Sequence, residues 1–192
     1  MAYGARLESG LGVKALRGSN PLSSATRTAS HHGAAPFALS GYGAGNRPRP
    51  RFEGMETIYT ASAVATGAGR NGHVQSTDGF IDADVRIPKE MGGAGGATNP
   101  EQLFAAGYAA CFHSALQLVA GQAKADTTDS EVVADVSIGP NDGGGFGLAV
   151  QLEISLPAVE RAQAEELVEQ AHQVCPYSNA TRGNVEVTLT VT

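Results

Sequence analysis

Thiol redox chemistry in this chain can rest only on Cys111 and Cys175, the two cysteines it contains. Cys111 sits in Asn99-Pro100-Glu101-Gln102-Leu103-Phe104-Ala105-Ala106-Gly107-Tyr108-Ala109-Ala110-Cys111-Phe112-His113, a run of small and apolar residues at helical spacing. Cys175 follows far downstream in Val174-Cys175-Pro176-Tyr177-Ser178. A reactive thiol needs a lowered pKa, hence a nearby cation and some access. Against that stands the plain reading of Cys111, between Ala110 and Phe112, as a small core residue. Within its own helix only His113 is close in sequence, and it points to another face. A cation must come from elsewhere, and from Met55 onward the arginines are Arg70, Arg86, Arg161 and Arg182. Arg70, in Thr66-Gly67-Ala68-Gly69-Arg70-Asn71-Gly72, lies on an expected hairpin loop that could fold over the helix or simply face solvent.

The elements that must place these groups are readable from pattern and punctuation. Ile58–Ala65 alternates as a strand, Asn71-Gly72 signals a hairpin, His73–Ser76 returns, and Phe80–Ile87 gives a third strand with Asp82 and Asp84 on its wet face. Pro88 ends this meander. The run Gly92-Gly93-Ala94-Gly95-Gly96 is a flexible loop that lacks the lysine and spacing of a phosphate cradle. Asn99 is a good N-cap, Pro100 suits the first helical position, and Gln102 stands where a capping box places it. The helix presents Leu103, Ala106, Gly107, Ala110, Cys111, Ser114 and Leu118 on one side and ends near Gly121. Its small residues would let a second helix approach closely. Glu131–Ile138 and Phe146–Ser155 read as a hairpin, and Pro157 to about Val174 as a second helix stopped by Pro176. The inner face of that helix is Val159, Ala164, Leu167, Val168, Ala171, Val174 and Cys175, and Val185–Val191 is a last alternating strand. Strands in blocks, separated by two helices, give an α+β fold.

Composition narrows the function classes. Residues 1–54 carry seven basic residues against Glu8 and Glu53, whereas the remaining six basic residues face seventeen acidic ones. The acidic body argues against nucleic-acid binding. Residues 1–54, rich in Gly, Ser, Pro and Arg, read as a disordered or non-native extension, either a functionless tail or a stretch upstream of a true start at Met55, in preference to an organelle leader. The domain proper is then 55–192. No apolar run reads as long enough to span a bilayer, and no signal-peptide core appears, so a reducing cytoplasm is expected. Two cysteines do not make a secreted disulfide framework. His31-His32 has no cysteine or acidic cluster nearby, and His73, His113 and His172 are scattered, so no metal site is expected.

The stretch Asn99–Phe112 resembles the central-helix motif of the organic hydroperoxide resistance (Ohr) branch of the Ohr/OsmC superfamily. Val174-Cys175-Pro176-Tyr177-Ser178-Asn179-Ala180-Thr181-Arg182-Gly183-Asn184 resembles that branch's second cysteine motif, and Thr66–Gly72 its arginine loop. The resemblance runs from Met55 to Thr192. It implies an OsmC-like fold of antiparallel sheets around two helices in an intertwined homodimer. It implies that Cys111 is the peroxidatic cysteine, Cys175 the resolving one, and that Arg70 and Glu101 activate the first. The implied reaction reduces alkyl or fatty-acid hydroperoxides in an apolar pocket, with no bound cofactor and with dihydrolipoyl groups on proteins as reductant. An OsmC-like stress protein with another peroxide preference, and a redox-sensing binding protein, are the alternatives. One point follows from geometry alone. Glu101 and Cys111 are ten residues apart, about 15 Å of rise in a continuous helix, so they cannot touch within one chain. Either Arg70 bridges part of that gap or Glu101 serves a partner's site, and the second is the expectation.

Overall fold

The computed structural model describes residues 54–192; apart from Gly54, the expected N-terminal extension, with His31-His32, lies outside them. The first sheet is an antiparallel meander of β1 (Ala63–Ala68), β2 (Asn71–Ser76) and β3 (Asp82–Asp84). Next come α1 (Pro100–Ala123), β4 (Glu131–Pro140), β5 (Phe146–Ser155), α2 (Arg161–Val174), α3 (Pro176–Thr181) and β6 (Glu186–Val191). The second sheet has the order β4-β5-β6, with β4 and β5 antiparallel and β5 and β6 parallel. This is the α+β architecture expected, with two differences of content: α3 was not foreseen, and β6 pairs in parallel.

The hairpin that carries Arg70 turns two residues earlier than its Asn-Gly signal. The register Ala68↔Asn71 leaves Gly69 and Arg70 as a two-residue turn. Gly69, at φ 60°, supplies the positive φ that such a turn requires. Asn71 and Gly72 belong instead to β2, and Gly72 is spent on a close approach: a Cβ there would lie 2.0 Å from the Thr66 carbonyl oxygen. Strand β1 starts at Ala63, not Ile58, and it includes Thr66–Ala68, which the pattern had given to the loop. The third strand is cut to three residues because the chain leaves the meander to fasten elsewhere. Val85 N–H still donates to the Gly72 carbonyl, but Arg86 N–H donates to the Thr98 carbonyl, and Val85 bridges to Thr98. That bridge ties the hairpin to the residue just before the α1 cap.

Helix α1 starts as its sequence predicts. The Asn99 side chain accepts from the Gln102 N–H at 2.8 Å, and Pro100 fills the first position. The Gln102 side chain accepts from the Thr98 hydroxyl and does not complete a capping box. The helix runs past Gly121 to Ala123, where Lys124 closes it in a left-handed conformation at φ 56°. Its buried face is Tyr108, Phe112, Ala115, Leu116, Val119 and Ala120, not the face expected. Alanines all round the helix blur its periodicity, so the large side chains decide which side turns inward. Ala106, Ala110, Ser114 and Leu118 are exposed, and Cys111 is half-buried at the edge. By length and composition α1 is long and apolar enough to cross a membrane, contrary to the sequence reading. Its alanine content raises the window average past Gln102, His113 and Gln117. In this fold its buried face joins Val150, Leu152 and Ile154 of β5 and Ala164, Leu167, Val168 and Ala171 of α2 in one core.

Candidate functional site

Pro176 places the second cysteine. Lacking an N–H, it cannot continue α2, and its ring drives the preceding residue out of the helical region. Cys175 therefore adopts φ −65°, ψ 123°, and Pro176 restarts the chain as the first residue of α3. The Arg182 guanidinium braces this corner, donating to the His172 carbonyl at 2.8 Å and to Asn179 Oδ1 at 2.8 Å. Cys175 is fully buried, as its position on the inner face of α2 predicted, whereas Val174 turns outward.

The two thiols meet. Cys175 Sγ lies 3.8 Å from Cys111 Sγ, and both are free. Burial pushes the Cys111 thiol above its ordinary pKa of 9.0; a backbone hydrogen bond from Tyr177 pulls it down, and the contact with Cys175 raises it again. Arg70 is not among the groups acting on it.

The other expected pair also forms, at a different place. Arg70 Nη1 and Nη2 donate to the two Glu101 oxygens at 2.8 and 2.7 Å, a fork-to-fork bond within one chain. That hydrogen bond holds the Glu101 carboxyl below its usual range and raises Arg70 further. The hairpin's attachment at Thr98 brings Arg70 to the first turn of α1. Because α1 is continuous from Pro100 to Ala123, ten residues of helix separate the ion pair from Cys111, about 15 Å of rise. The structure thus assembles two half-sites: a thiol pair at mid-helix and a charged pair at the helix start. A cleft of about 490 Å³ opens beside Glu101, lined among others by Met91, Gln102, Ala105, Val136 and Ile138. Neither cysteine lines it.

Sequence reasoning missed the groups that seat α3 against α1. Tyr108 is fully buried, and its hydroxyl lies 3.0 Å from Ser178 Oγ and 3.2 Å from Thr181 Oγ1. The Tyr177 ring stacks on Phe104, with centroids 6.0 Å apart, and lies over Gly107, where a Cβ would come 3.1 Å from the phenol oxygen. The advance signals were the position of Tyr177 and Ser178 directly after Cys175, which suits them to shape its turn, and the four-residue spacing of Phe104, Tyr108 and Phe112, which marks a shared helix face but no partner. Among the described residues no group of His, Cys, Asp and Glu is arranged to hold a metal ion.

Comparison with known proteins identifies the family. The profile of the OsmC-like protein family matches residues 93–190. An organic hydroperoxide resistance protein from Xanthomonas axonopodis pv. citri is 54% identical over 138 residues, covering 71% of this chain and 96% of that protein. The organic hydroperoxide resistance protein OhrB of Bacillus subtilis is 47% identical, covering 69% and 96%. Among solved structures, an organic hydroperoxide resistance protein from Elizabethkingia anophelis superposes with a TM-score of 0.69 at 57% identity, covering 72% of this chain and 99% of that one.

Proposed function

We propose that this chain, which belongs to the OsmC-like family and within it to the organic hydroperoxide resistance proteins, is a thiol peroxidase that reduces organic hydroperoxides to alcohols. The relatives' names support a role in peroxide resistance. The observation that carries the chemistry is the 3.8 Å approach of two free thiols 64 residues apart in sequence. In this reading Cys111, as thiolate, attacks the terminal oxygen of the O–O bond. The alkoxide leaves and takes a proton as the alcohol, and Cys111 becomes a sulfenic acid. Cys175 then attacks that sulfur, its proton leaves with the hydroxyl as water, and the disulfide forms. A dithiol reverses it by exchange, and a dihydrolipoyl group on a protein is the proposed donor. Alkyl and fatty-acid hydroperoxides are the proposed substrates.

The ion pair fits the same reading through a second copy. Among the described residues of one chain, burial raises the Cys111 thiol, and no cation is among the groups that act on it to favour the thiolate. Arg70, oriented by Glu101, supplies that cation to the partner's Cys111 in a homodimer. The exposed small-residue stripe Ala106, Ala110 and Ser114 on α1, with Leu118 beside it, suits such an interface.

The deciding experiment is turnover of an alkyl hydroperoxide against hydrogen peroxide, with dihydrolipoamide against glutathione as reductant. The organic peroxide and dihydrolipoamide should be preferred; loss of both preferences removes the proposal. Cys111→Ser should abolish turnover. Cys175→Ser should allow one oxidation, block the disulfide and leave Cys111 to overoxidise. Mixing inactive Cys111→Ser and Arg70→Ala subunits should restore activity only if Arg70 acts on the partner's thiol.

A further inference from the structure

The buried hydroxyls between α1 and α3 take no part in the reaction proposed above, yet their placement follows the sulfurs. Tyr108 is one turn before Cys111 on α1, and Ser178 is three residues after Cys175 on α3. Ser178 and Thr181 are buried along with Tyr108, so each hydroxyl must find its partner within the protein. One arrangement satisfies all three. Thr181 donates into its own helix, to the Tyr177 carbonyl at 3.0 Å or that of Ser178 at 3.1 Å. It then accepts from Tyr108, which accepts from Ser178. These bonds hold only while α3 stays seated on α1, because each crosses between the helices or backs one that does. The same seat carries Cys175 at its start and aims the Tyr177 backbone at the Cys111 thiol.

We infer that Tyr108 is a positioning residue for disulfide closure: its hydroxyl, bridging Ser178 and Thr181, holds α3 where Cys175 can reach Cys111. This rests on the peroxidase reading for its biological meaning. From 3.8 Å the sulfurs must close by about 1.8 Å to reach a bond near 2.05 Å. A seated α3 keeps that excursion short, and a loosened one samples it less often. The step at stake joins the Cys111 sulfur to the Cys175 sulfur, breaks the S–O bond of the sulfenic acid and releases water. Its competitor is a second peroxide molecule, which takes Cys111 on to the sulfinic acid.

The test is Tyr108→Phe, which keeps the ring in its packing with Phe104 and Tyr177 and removes only the hydroxyl. Mass spectrometry over a series of alkyl hydroperoxide concentrations gives the partition of Cys111 between disulfide and sulfinic acid. The sulfinic share at a given concentration should rise on the order of tenfold, the scale of losing one or two hydrogen bonds. Ser178→Ala should shift it the same way and add little to Tyr108→Phe; it also carries the test if the tyrosine variant does not fold. Ile154→Ala, a core truncation on β5, should lower the melting temperature and leave the partition unchanged. A wild-type partition in both Tyr108→Phe and Ser178→Ala, or an equal rise in Ile154→Ala, overturns the inference. Closure by diamide, which takes two protons and two electrons from the thiols without peroxide, separates the two claims. If hydroperoxide is not consumed but Tyr108→Phe still slows diamide closure, the positioning role stands and the peroxidase reading falls.

Discussion

Replacing Glu101 with glutamine should destabilise the protein at neutral pH and have progressively less effect in acid. Both Arg70 nitrogens bond Glu101 oxygens at 2.7–2.8 Å, so the glutamine variant loses the charge and one of two good acceptors. The Glu101 side chain is 12% exposed but that of Arg70 is 37% exposed, and solvent screens the pair from that side. The cost is therefore about 1 kcal/mol, at the upper end for exposed pairs and well below that of breaking a buried one. In a protein of this length that lowers the melting temperature by about 2–4 °C. The pH dependence fixes the cause. The Arg70 hydrogen bond depresses the Glu101 pKa below its ordinary 4.5. The stabilisation is thus complete above the unfolded-state value near 4.5 and is lost as pH falls through the lower folded-state value. Glutamine takes up no proton, so the gap between wild type and variant should close over that window. Urea denaturation at neutral pH and at steps down to about pH 3, at low salt, measures it. A gap that stays constant on acidification refutes the reasoning, as does the absence of any gap at neutral pH.

Two further predictions concern the hairpin that carries Arg70. Gly72→Ala forces a Cβ to within 2.0 Å of the Thr66 carbonyl oxygen, a backbone atom that no rotamer change can move. It should cost about 3 kcal/mol and lower peroxide turnover by displacing Arg70; a variant with wild-type melting temperature contradicts this. His73 places Nε2 2.9 Å from Asp82 Oδ1 and Nδ1 3.1 Å from Asp84 Oδ1, so both bonds form only when the ring is protonated on both nitrogens. The Asp84 hydrogen bond, followed by the Asp82 charge, raises its pKa above 6.5. Its contribution is present below 6.5 and lost as pH rises through the folded value. An NMR titration of the imidazole should find that elevated pKa, and Asp84→Asn should lower it; a wild-type value at or below 6.5 disproves the contact.

What could be read from the chain was whatever local chemistry decides. Asn99 and Pro100 start α1 because the cap and the missing N–H act within one turn. The β4–β5 hairpin was legible because alternating runs flank a glycine-rich turn, although β4 extends through Gly139 and Pro140, two residues beyond the expected Ile138. What local chemistry leaves open went astray. The face of α1 was misjudged because alanine favours no side, so tertiary packing of Tyr108, Phe112 and Leu116 made the choice. Asn71-Gly72 misled because glycine serves a close backbone approach as well as a turn, and here Gly69 turns while Gly72 yields space. Pro176 was read as a stop, although the lack of an N–H that ends α2 is also what fits it to begin α3. The Arg70–Glu101 roles came from resemblance alone, since no periodicity links residues 31 apart.

The two half-sites bear on this limit. A 24-residue helix holds Glu101 and Cys111 at a fixed separation, so no rearrangement within α1 can bring the charged pair to the thiol. Single-chain packing completes the steps that need only this chain's atoms, the seating of α3 and the approach of Cys175. It leaves the Cys111 thiol raised by burial, the reverse of what nucleophilic attack needs. Two thiols brought together within one chain, and a guanidinium held about 15 Å along the helix from them, are what the proposed second subunit would reconcile. Retention of full turnover by a strictly monomeric form would break the proposed dependence on a second subunit.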